Sequence, residues 1–272
     1  HVVAAGPRVR GVQVGQRVGV GWFSGSCLHC PQCLAGHHNL CSAAEQTIVG
    51  RHGGFADRLR CHWLWAVPLP EALDLAVAGP LFCAGITVFT PLVHFEVRPT
   101  DRVGVVGIGG LGHLALQFLN KWGCEVTAFT SREDKREALV RLGAHAVVNS
   151  RNPAELTRLR GRFDFLLVTV NVPLDWTALL DTLAPRGRLH VVGAVLAPMP
   201  IPAFSLLGGQ KSLSGSPVGD PATVHKMLEF CARHRIAPQV EEFPLSQVNA
   251  ALAHLRAGRA RYRLVLRNDL PA

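Results

Sequence analysis

The stretch Val103-Gly104-Val105-Val106-Gly107-Ile108-Gly109-Gly110-Leu111-Gly112 decides the fold. Residues 103–106 are small, apolar and mostly β-branched, the pattern of a short strand buried on both faces of a parallel sheet. They lead directly into the spacing G-x-G-x-x-G at Gly107, Gly109 and Gly112. A helical pattern over 113–122 follows, with Leu114, Leu116, Phe118 and Leu119 apolar. Three glycines alone are weak evidence; a strand before and a helix after make them a dinucleotide-binding turn. Gly107 permits the tight turn, Gly109 lets backbone approach a pyrophosphate, and Gly112 allows the helix to pack close to the strand. Ile108, Gly110 and Leu111 complete a loop whose N–H groups, at a helix N-terminus, suit phosphate. A merely flexible glycine loop is the alternative, and the segments downstream speak against it.

The next strand, 125–129, runs into Phe129-Thr130-Ser131-Arg132, with Lys135 one turn on. An NADH site usually ends this strand with Asp or Glu, which accepts from the ribose 2′-OH. Here Ser131 can donate to a 2′-phosphate while Arg132 and Lys135 neutralise it, which predicts NADPH. Glu133 and Asp134 are expected to point away along a helix start, where acids suit the dipole. A solvated charged helix end is the plainer use of the group. Helices over 133–142, 153–159 and 174–183 then alternate with strands over 146–148, 163–170 and 188–192, and a sixth strand is expected near 211–214. That alternation predicts the α/β class, as a right-handed, doubly wound parallel sheet. Before residue 66 the helical pattern is absent, and 9–20 reads as β structure interrupted by glycines. The two ends of the chain belong to different architectures.

A length of 272 residues suggests about two domains. With 48% hydrophobic and 17% charged residues, intrinsic disorder, a collagen repeat and a small disulfide scaffold are excluded. No apolar run is expected to reach the roughly 20 residues of a membrane span, because Gly, Pro, Arg or Asp interrupts each one. The net charge of +9 invites a nucleic-acid reading, but the charges are spread along the chain, and no nucleic-acid or membrane partner is expected.

Four of the eight cysteines, Cys27, Cys30, Cys33 and Cys41, fall in the spacing C-x2-C-x2-C-x7-C. Cysteines three apart converge easily on one metal but make strained disulfide partners. Four thiolates with no open position describe a closed, tetrahedral structural zinc site. Pro31, Gly36 and Asn39 suit a turning lobe rather than a helix or strand. An iron–sulfur cluster is the serious rival, although the bacterial ferredoxin run has a shorter last gap followed by Pro. Disulfides or free thiols complete the alternatives. His29, His37 and His38 are expected to face solvent. Reduced thiolates favour a cytoplasmic location.

These segments resemble one family, the zinc-dependent medium-chain alcohol dehydrogenases, in the cinnamyl-alcohol-dehydrogenase-like branch. The resemblance rests on Val14-Gly15-Gln16-Arg17-Val18-Gly19-Val20-Gly21-Trp22, the four-cysteine spacing and Gly79-Pro80-Leu81-Phe82-Cys83-Ala84-Gly85-Ile86-Thr87. It also rests on the coenzyme turn, Asn171-Val172-Pro173-Leu174-Asp175-Trp176, Ser214-Gly215-Ser216 and Ala260-Arg261-Tyr262-Arg263. Together they look like the bacterial broad-specificity NADPH-dependent aldehyde reductases of that branch. The resemblance implies a partial GroES-like domain over 1–83, a Rossmann domain over 84–217, and a segment 218–272 returning to the first domain.

The implied chemistry is hydride transfer between NADPH and an aldehyde, zinc polarising the carbonyl. The resemblance assigns Cys83 to catalytic zinc and Thr87 to the nicotinamide side. Thr169, Val170, Val192, Gly193, Ser214, Gly215 and Ser216 would line the nicotinamide and ribose, and Arg263 would reach the pyrophosphate. Trp22 and Phe23 would wall the substrate pocket or sit in the core, and Cys61, Cys124 and Cys231 would act as small core hydrophobes. The apolar stretch 196–207 would form a homodimer edge or a buried connector. In the family two further zinc ligands and the head of a proton relay precede the position matching His1, so a chain opening at His1 is expected to lack a complete catalytic zinc site. A non-catalytic remnant and a zinc-independent quinone reductase are the other readings.

Overall fold

Glycine and proline punctuate the chain before Pro70, and the strands there are correspondingly short: β1 (Val18–Gly19), β2 (Phe23–Gly25), β3 (Glu45–Gln46) and β4 (Val67–Pro68). β1 pairs with β4 and β2 with β3, both antiparallel. The computed structural model describes residues 1–270, so the last two positions of the expected 218–272 segment lie outside the described residues. The β structure expected over 9–20 shrinks to β1. Gly11 and Gly15 take φ of +76° and +87°, a region that breaks an extended run, and the segment is held by isolated bonds such as Gly15 N to Val2 O at 2.8 Å.

A longer helical run follows: α2 (Leu75–Pro80), a π-helical turn at Leu81–Gly85, and α3 (Ile86–His94). Asp74 caps it, accepting from Ala76 N at 3.0 Å. The 20 residues from Leu75 to His94 pass the length and composition test for a membrane span, which corrects the expectation that no apolar run does. Leu81, Ala84, Val88 and Leu92 have no exposure, as in a core helix, where burial against protein replaces burial in lipid.

Six parallel strands then build one sheet: β4's successors are β5 (Arg102–Val106), β6 (Glu125–Thr130), β7 (Ala146–Asn149), β8 (Phe163–Val168), β9 (Leu183–Val191) and β10 (Ser212–Gly215). Their spatial order is β10-β9-β8-β5-β6-β7, the doubly wound order with its switch point between β5 and β8. The crossovers are α4 (Gly112–Trp122), α5 (Arg136–Arg141), α6 (Pro153–Arg158), α7 (Trp176–Thr182) and the short α8 (Phe204–Leu207). Val103, Val105, Leu114, Leu116, Phe118, Val126, Phe129, Leu166 and Leu189 have no exposure. Each such side chain contributes roughly 1.5–3 kcal/mol by leaving water. Arg102 spans to β8 and binds Asp164 at two points, 3.1 and 3.0 Å. The strand expected at 188–192 starts already at Leu183; Arg186 sits at φ +64° beside a register shift, an irregularity that periodicity does not reveal.

The chain closes with α9 (Pro221–His234), β11 (Val240–Pro244), α10 (Val248–Arg256) and β12 (Arg263–Arg267), β11 and β12 being parallel. Asn39 Nδ2 donates to Val218 O at 2.8 Å, and a Cβ added at Gly85 would lie 2.9 Å from Met227 Sδ. The chain thus forms two compact units, Thr87–Pro217 and a second made of His1–Ile86 with the chain from Val218 onward.

Candidate functional site

The thiols of Cys27, Cys30, Cys33 and Cys41 converge: their sulfurs lie within 4.8 Å of one another, the single such group of potential ligands among the described residues. The lobe is not purely turns, because Pro31–Leu34 forms a one-turn helix, α1. Pro31 tolerates the first helical position, and Cys30 caps it, its sulfur accepting from Cys33 N at 3.5 Å. Cys30 N points at Cys27 Sγ (3.3 Å) and Cys27 N at Cys41 Sγ (3.5 Å), so backbone donors already aim at the sulfurs.

Four ligands at about 2.3 Å from one zinc put sulfurs roughly 3.8 Å apart. Cys27 and Cys33 Sγ stand at 3.9 Å, so the donor set fits the metal. N–H groups of His29 and Cys30 pull the Cys27 thiol down to about 6, whereas burial pushes Cys33 up to about 11. A divalent cation is what lets all four ionise together. His29 and His37 are exposed as expected; His38 is half-buried, its Nδ1 3.3 Å from Ser26 Oγ and its ring edge-on to Trp65.

The glycine turn is built as its chemistry requires. Gly107 has φ +90°, and a Cβ there would lie 2.1 Å from Val170 Cγ1. A Cβ at Gly112 would lie 2.1 Å from Gly107 O, whereas one at Gly109 would meet nothing within 4 Å. Thr169 Oγ1 donates to Gly107 O at 2.5 Å and ties the turn to the end of β8. A cavity of about 610 Å³ opens at this switch point. Gly107, Ile108, Gly109, Gly110, Thr130, Ser131, Arg132, Lys135, Thr169 and Val170 line it, as do Ser150 and Arg151 after β7, which sequence reasoning missed. Their signal was their position at the carboxyl end of the third strand.

Leu111 and Gly112 stand at the start of α4, Thr87 is buried in α3, and Val192 and Gly193 follow β9, with Val192 N donating to Val168 O at 2.9 Å. None of these borders the cavity, nor do Ser214, Gly215 and Ser216 at the end of β10. Asp134 departs from expectation: instead of pointing away it turns back on Arg132. Its short side chain, two residues on, reaches the guanidinium, which holds Asp134 below the usual carboxylate range. Glu133 Oε1 accepts from Asn149 Nδ2 at 3.1 Å.

Cys83 is exposed on the π-helical turn, while its neighbours Leu81, Phe82 and Ala84 are buried. It joins no group of three metal-ligating side chains among the described residues. Arg263, on β12, belongs to the same unit, and burial lowers the pKa of its guanidinium. Phe23 is a core residue packed 5.6 Å from Trp65, whereas Trp22 is half exposed. Cys124 and Cys231 are buried, their thiols pushed up to about 12. Cys61 is only half-buried, a correction to its reading as a core residue, because the loops around it leave open hollows on both sides.

One side chain passed unnoticed in sequence. His190, in the middle of an apolar run on β9, has no exposure, and its ring nitrogens stand 2.9 Å from Ser214 Oγ and 2.9 Å from Ser216 Oγ. Burial, with Arg188 and His94 nearby, depresses its pKa to about 4, so the ring is neutral at physiological pH.

A nucleotide-type turn on a doubly wound sheet, joined in one chain to a four-thiol lobe on a β-rich unit, defines a zinc-type dehydrogenase. Comparison with known proteins agrees. Residues 1–71 match the alcohol dehydrogenase GroES-like domain, and residues 110–233 match the zinc-binding dehydrogenase domain. An aldehyde reductase of Synechocystis is 54% identical over 265 residues, covering 97% of this chain and 79% of the relative. The fold matches that of a Sorghum bicolor cinnamyl alcohol dehydrogenase with a TM-score of 0.89 at 34% identity, covering 97% of this chain and 78% of that one. A Helicobacter pylori cinnamyl alcohol dehydrogenase complexed with NADP(H) matches with a TM-score of 0.87 at 25% identity, over 97% and 78% of the two chains. The chain belongs to the zinc-type medium-chain alcohol dehydrogenase family.

Proposed function

We propose that this chain reduces aldehydes with NADPH. Oxidoreduction between alcohols and aldehydes goes with the family, and the observation that carries the cofactor preference is the end of β6. Ser131 stands where an NADH-selective site has an acid, and Arg132, Lys135 and Arg151 border the same cavity. The adenosine half would lie over this edge, its pyrophosphate over the open face of Gly109 and the N-terminus of α4. Thr87, Thr169, Val170, Val192, Gly193, Ser214, Gly215 and Ser216 would take the nicotinamide and its ribose, and Arg263 the pyrophosphate. When bound, the nicotinamide would supply the hydride; a Lewis-acidic zinc would take the exposed thiol of Cys83 as one ligand, but Cys83 joins no group of three metal-ligating side chains among the described residues, and no step is routed through that metal. Cys27, Cys30, Cys33 and Cys41 would hold a second, structural zinc with no open position.

Equilibrium titration with NADPH and NADH, followed by aldehyde-dependent oxidation of each, tests the reading. Tighter binding and faster turnover of NADPH are expected; equal use of both cofactors would overturn it. A homodimer is part of the proposal. Leu196, Phe204 and Leu207 are 96%, 83% and 66% exposed along 196–207, an apolar edge for a second copy, which sedimentation of the isolated protein would test.

A further inference from the structure

We propose that the turn after β7 is a second wall of the site for the cofactor's 2′-phosphate, in which the Ser150 hydroxyl and the Arg151 guanidinium take the phosphate oxygens. This rests on the NADPH reading above and deepens it by naming the groups that grip that phosphate. Both residues border the cavity that Ser131 and Arg132 line. β7 lies beside β6 in the sheet, so the two turns at their carboxyl ends are neighbours.

The turn itself is tied down on every side. Ser150 N donates to Thr130 O at 2.9 Å, and Asn152 N to Asn149 O at 3.1 Å. Asn149 Oδ1 accepts from Arg151 N at 2.9 Å, closing an Asx-type turn, while Asn149 Nδ2 donates to Glu133 Oε1 at 3.1 Å. Asn149 N and Asn152 Nδ2 donate to the two oxygens of Glu155 at 2.9 and 3.0 Å. Asn152 Oδ1 caps α6, accepting from Ala154 N at 3.1 Å. The side chains of Ser150 and Arg151 stand apart from this network: among the described residues they have no hydrogen-bond partner.

A turn whose asparagines and backbone are already satisfied has no structural use for a hydroxyl and a guanidinium held at a cavity rim. Arg132 is placed differently. Its guanidinium is bound to Asp134 at two points, so a phosphate reaches it only by displacing a carboxylate. Arg151 needs no such exchange. Its planar fork of N–H donors matches two oxygens of a phosphate, and Ser150 Oγ can donate to a third. Asp175, the one carboxylate bordering the cavity among the described residues, is engaged as the cap of α7, accepting from Ala178 N at 2.9 Å. Glu133 is then a positioning residue: its bond to Asn149 fastens the turn after β7 to the turn after β6, so that one phosphate can meet Ser131 and Arg151 together.

Calorimetric titration of the purified chain with adenosine 2′,5′-bisphosphate and with AMP tests this, because the two probes differ only in the 2′-phosphate. The unaltered chain should bind the bisphosphate more tightly. Arg151→Ala should weaken the bisphosphate roughly tenfold, the scale of one charged contact, and leave AMP unchanged; Ser150→Ala should show a smaller loss of the same kind. Arg151→Lys, which keeps the charge without the fork, should recover part of the affinity. Glu133→Gln and Glu133→Ala remove the same charge, but only the first keeps an acceptor for Asn149, so it should bind the bisphosphate more tightly than the second. Equal loss of both probes in Arg151→Ala would make the residue a support for the adenine ring and overturn the proposal. Undiminished bisphosphate binding in both Arg151→Ala and Ser150→Ala would overturn it too, and in either case the NADPH reading stands on Ser131 and Arg132. An unaltered chain that binds the two probes equally would overturn both.

Discussion

The guanidinium of Arg132 grips the carboxylate of Asp134 at two points, Nε to Oδ1 at 3.1 Å and Nη2 to Oδ2 at 2.8 Å, at the mouth of the cavity above the glycine turn. Both side chains are more than half exposed, so the pair contributes little to stability. Its consequence lies in binding, because a phosphate arriving at Ser131 competes with Asp134 for the same guanidinium.

Arg132→Ala should therefore weaken NADPH roughly tenfold or more and leave NADH nearly unaffected, since the proposed charge-assisted contact would go to the 2′-phosphate alone. Asp134→Asn should act in the opposite direction, tightening NADPH a few-fold by removing the competitor. Fluorescence titration with both cofactors checks the two variants together.

Ser131→Asp restores the acid of an NADH-type site. It should invert the preference, weakening NADPH by repulsion and giving the ribose 2′-OH of NADH an acceptor. The ratio of kcat/KM for the two cofactors with one aldehyde is the measurement.

At Gly112 an added Cβ would meet backbone, the Gly107 carbonyl at 2.1 Å, and backbone cannot rotate away. Gly112→Ala should lower stability by about 1–3 kcal/mol and weaken NADPH and NADH alike, since it spreads helix from strand at the shared pyrophosphate turn. Urea unfolding and titration of both cofactors separate these effects.

His190 makes stability depend on pH. Its pKa is about 4 in the folded chain against 6.5 when unfolded, so between these values the unfolded state binds more protons. The neutral ring's contribution is intact above pH 6.5 and is lost as pH falls toward 4. Between pH 7 and pH 5 it amounts to about 2 kcal/mol. Urea unfolding at the two pH values should show a smaller difference in His190→Leu than in the unaltered chain.

Cys33→Ser should abolish zinc retention by the four-thiol lobe, whereas Cys61→Ser should not, because Cys61 lies outside the converging group. Lowering the pH should release the same ion as protons return to the thiols. Metal content per chain, measured after dialysis, distinguishes the two variants.

The parts of this protein legible in its sequence are those whose physics is local. A turn that needs φ > 0 at Gly107 and no Cβ at Gly112 can be written only with glycine, and its neighbours in sequence are its neighbours in space. Cys30 and Cys33 meet because one turn of helix, capped by Cys30, brings them together. The buried strands announce themselves through runs of Val, Leu and Phe.

What remained hidden depends on contacts between distant segments or on side-chain direction. His190 reads as a flaw in an apolar strand until β10 brings Ser214 and Ser216 alongside. Nothing in the order of residues says that Cys83 faces outward from a π-helical turn whose neighbours are buried, or that Asp134 folds back on Arg132. Ser150 and Arg151 join the cavity above the glycine turn only because β7 ends beside β6. Periodicity reports which residues leave water; the partners that a polar side chain finds there are chosen by strand order and register, and those exist only in the folded chain.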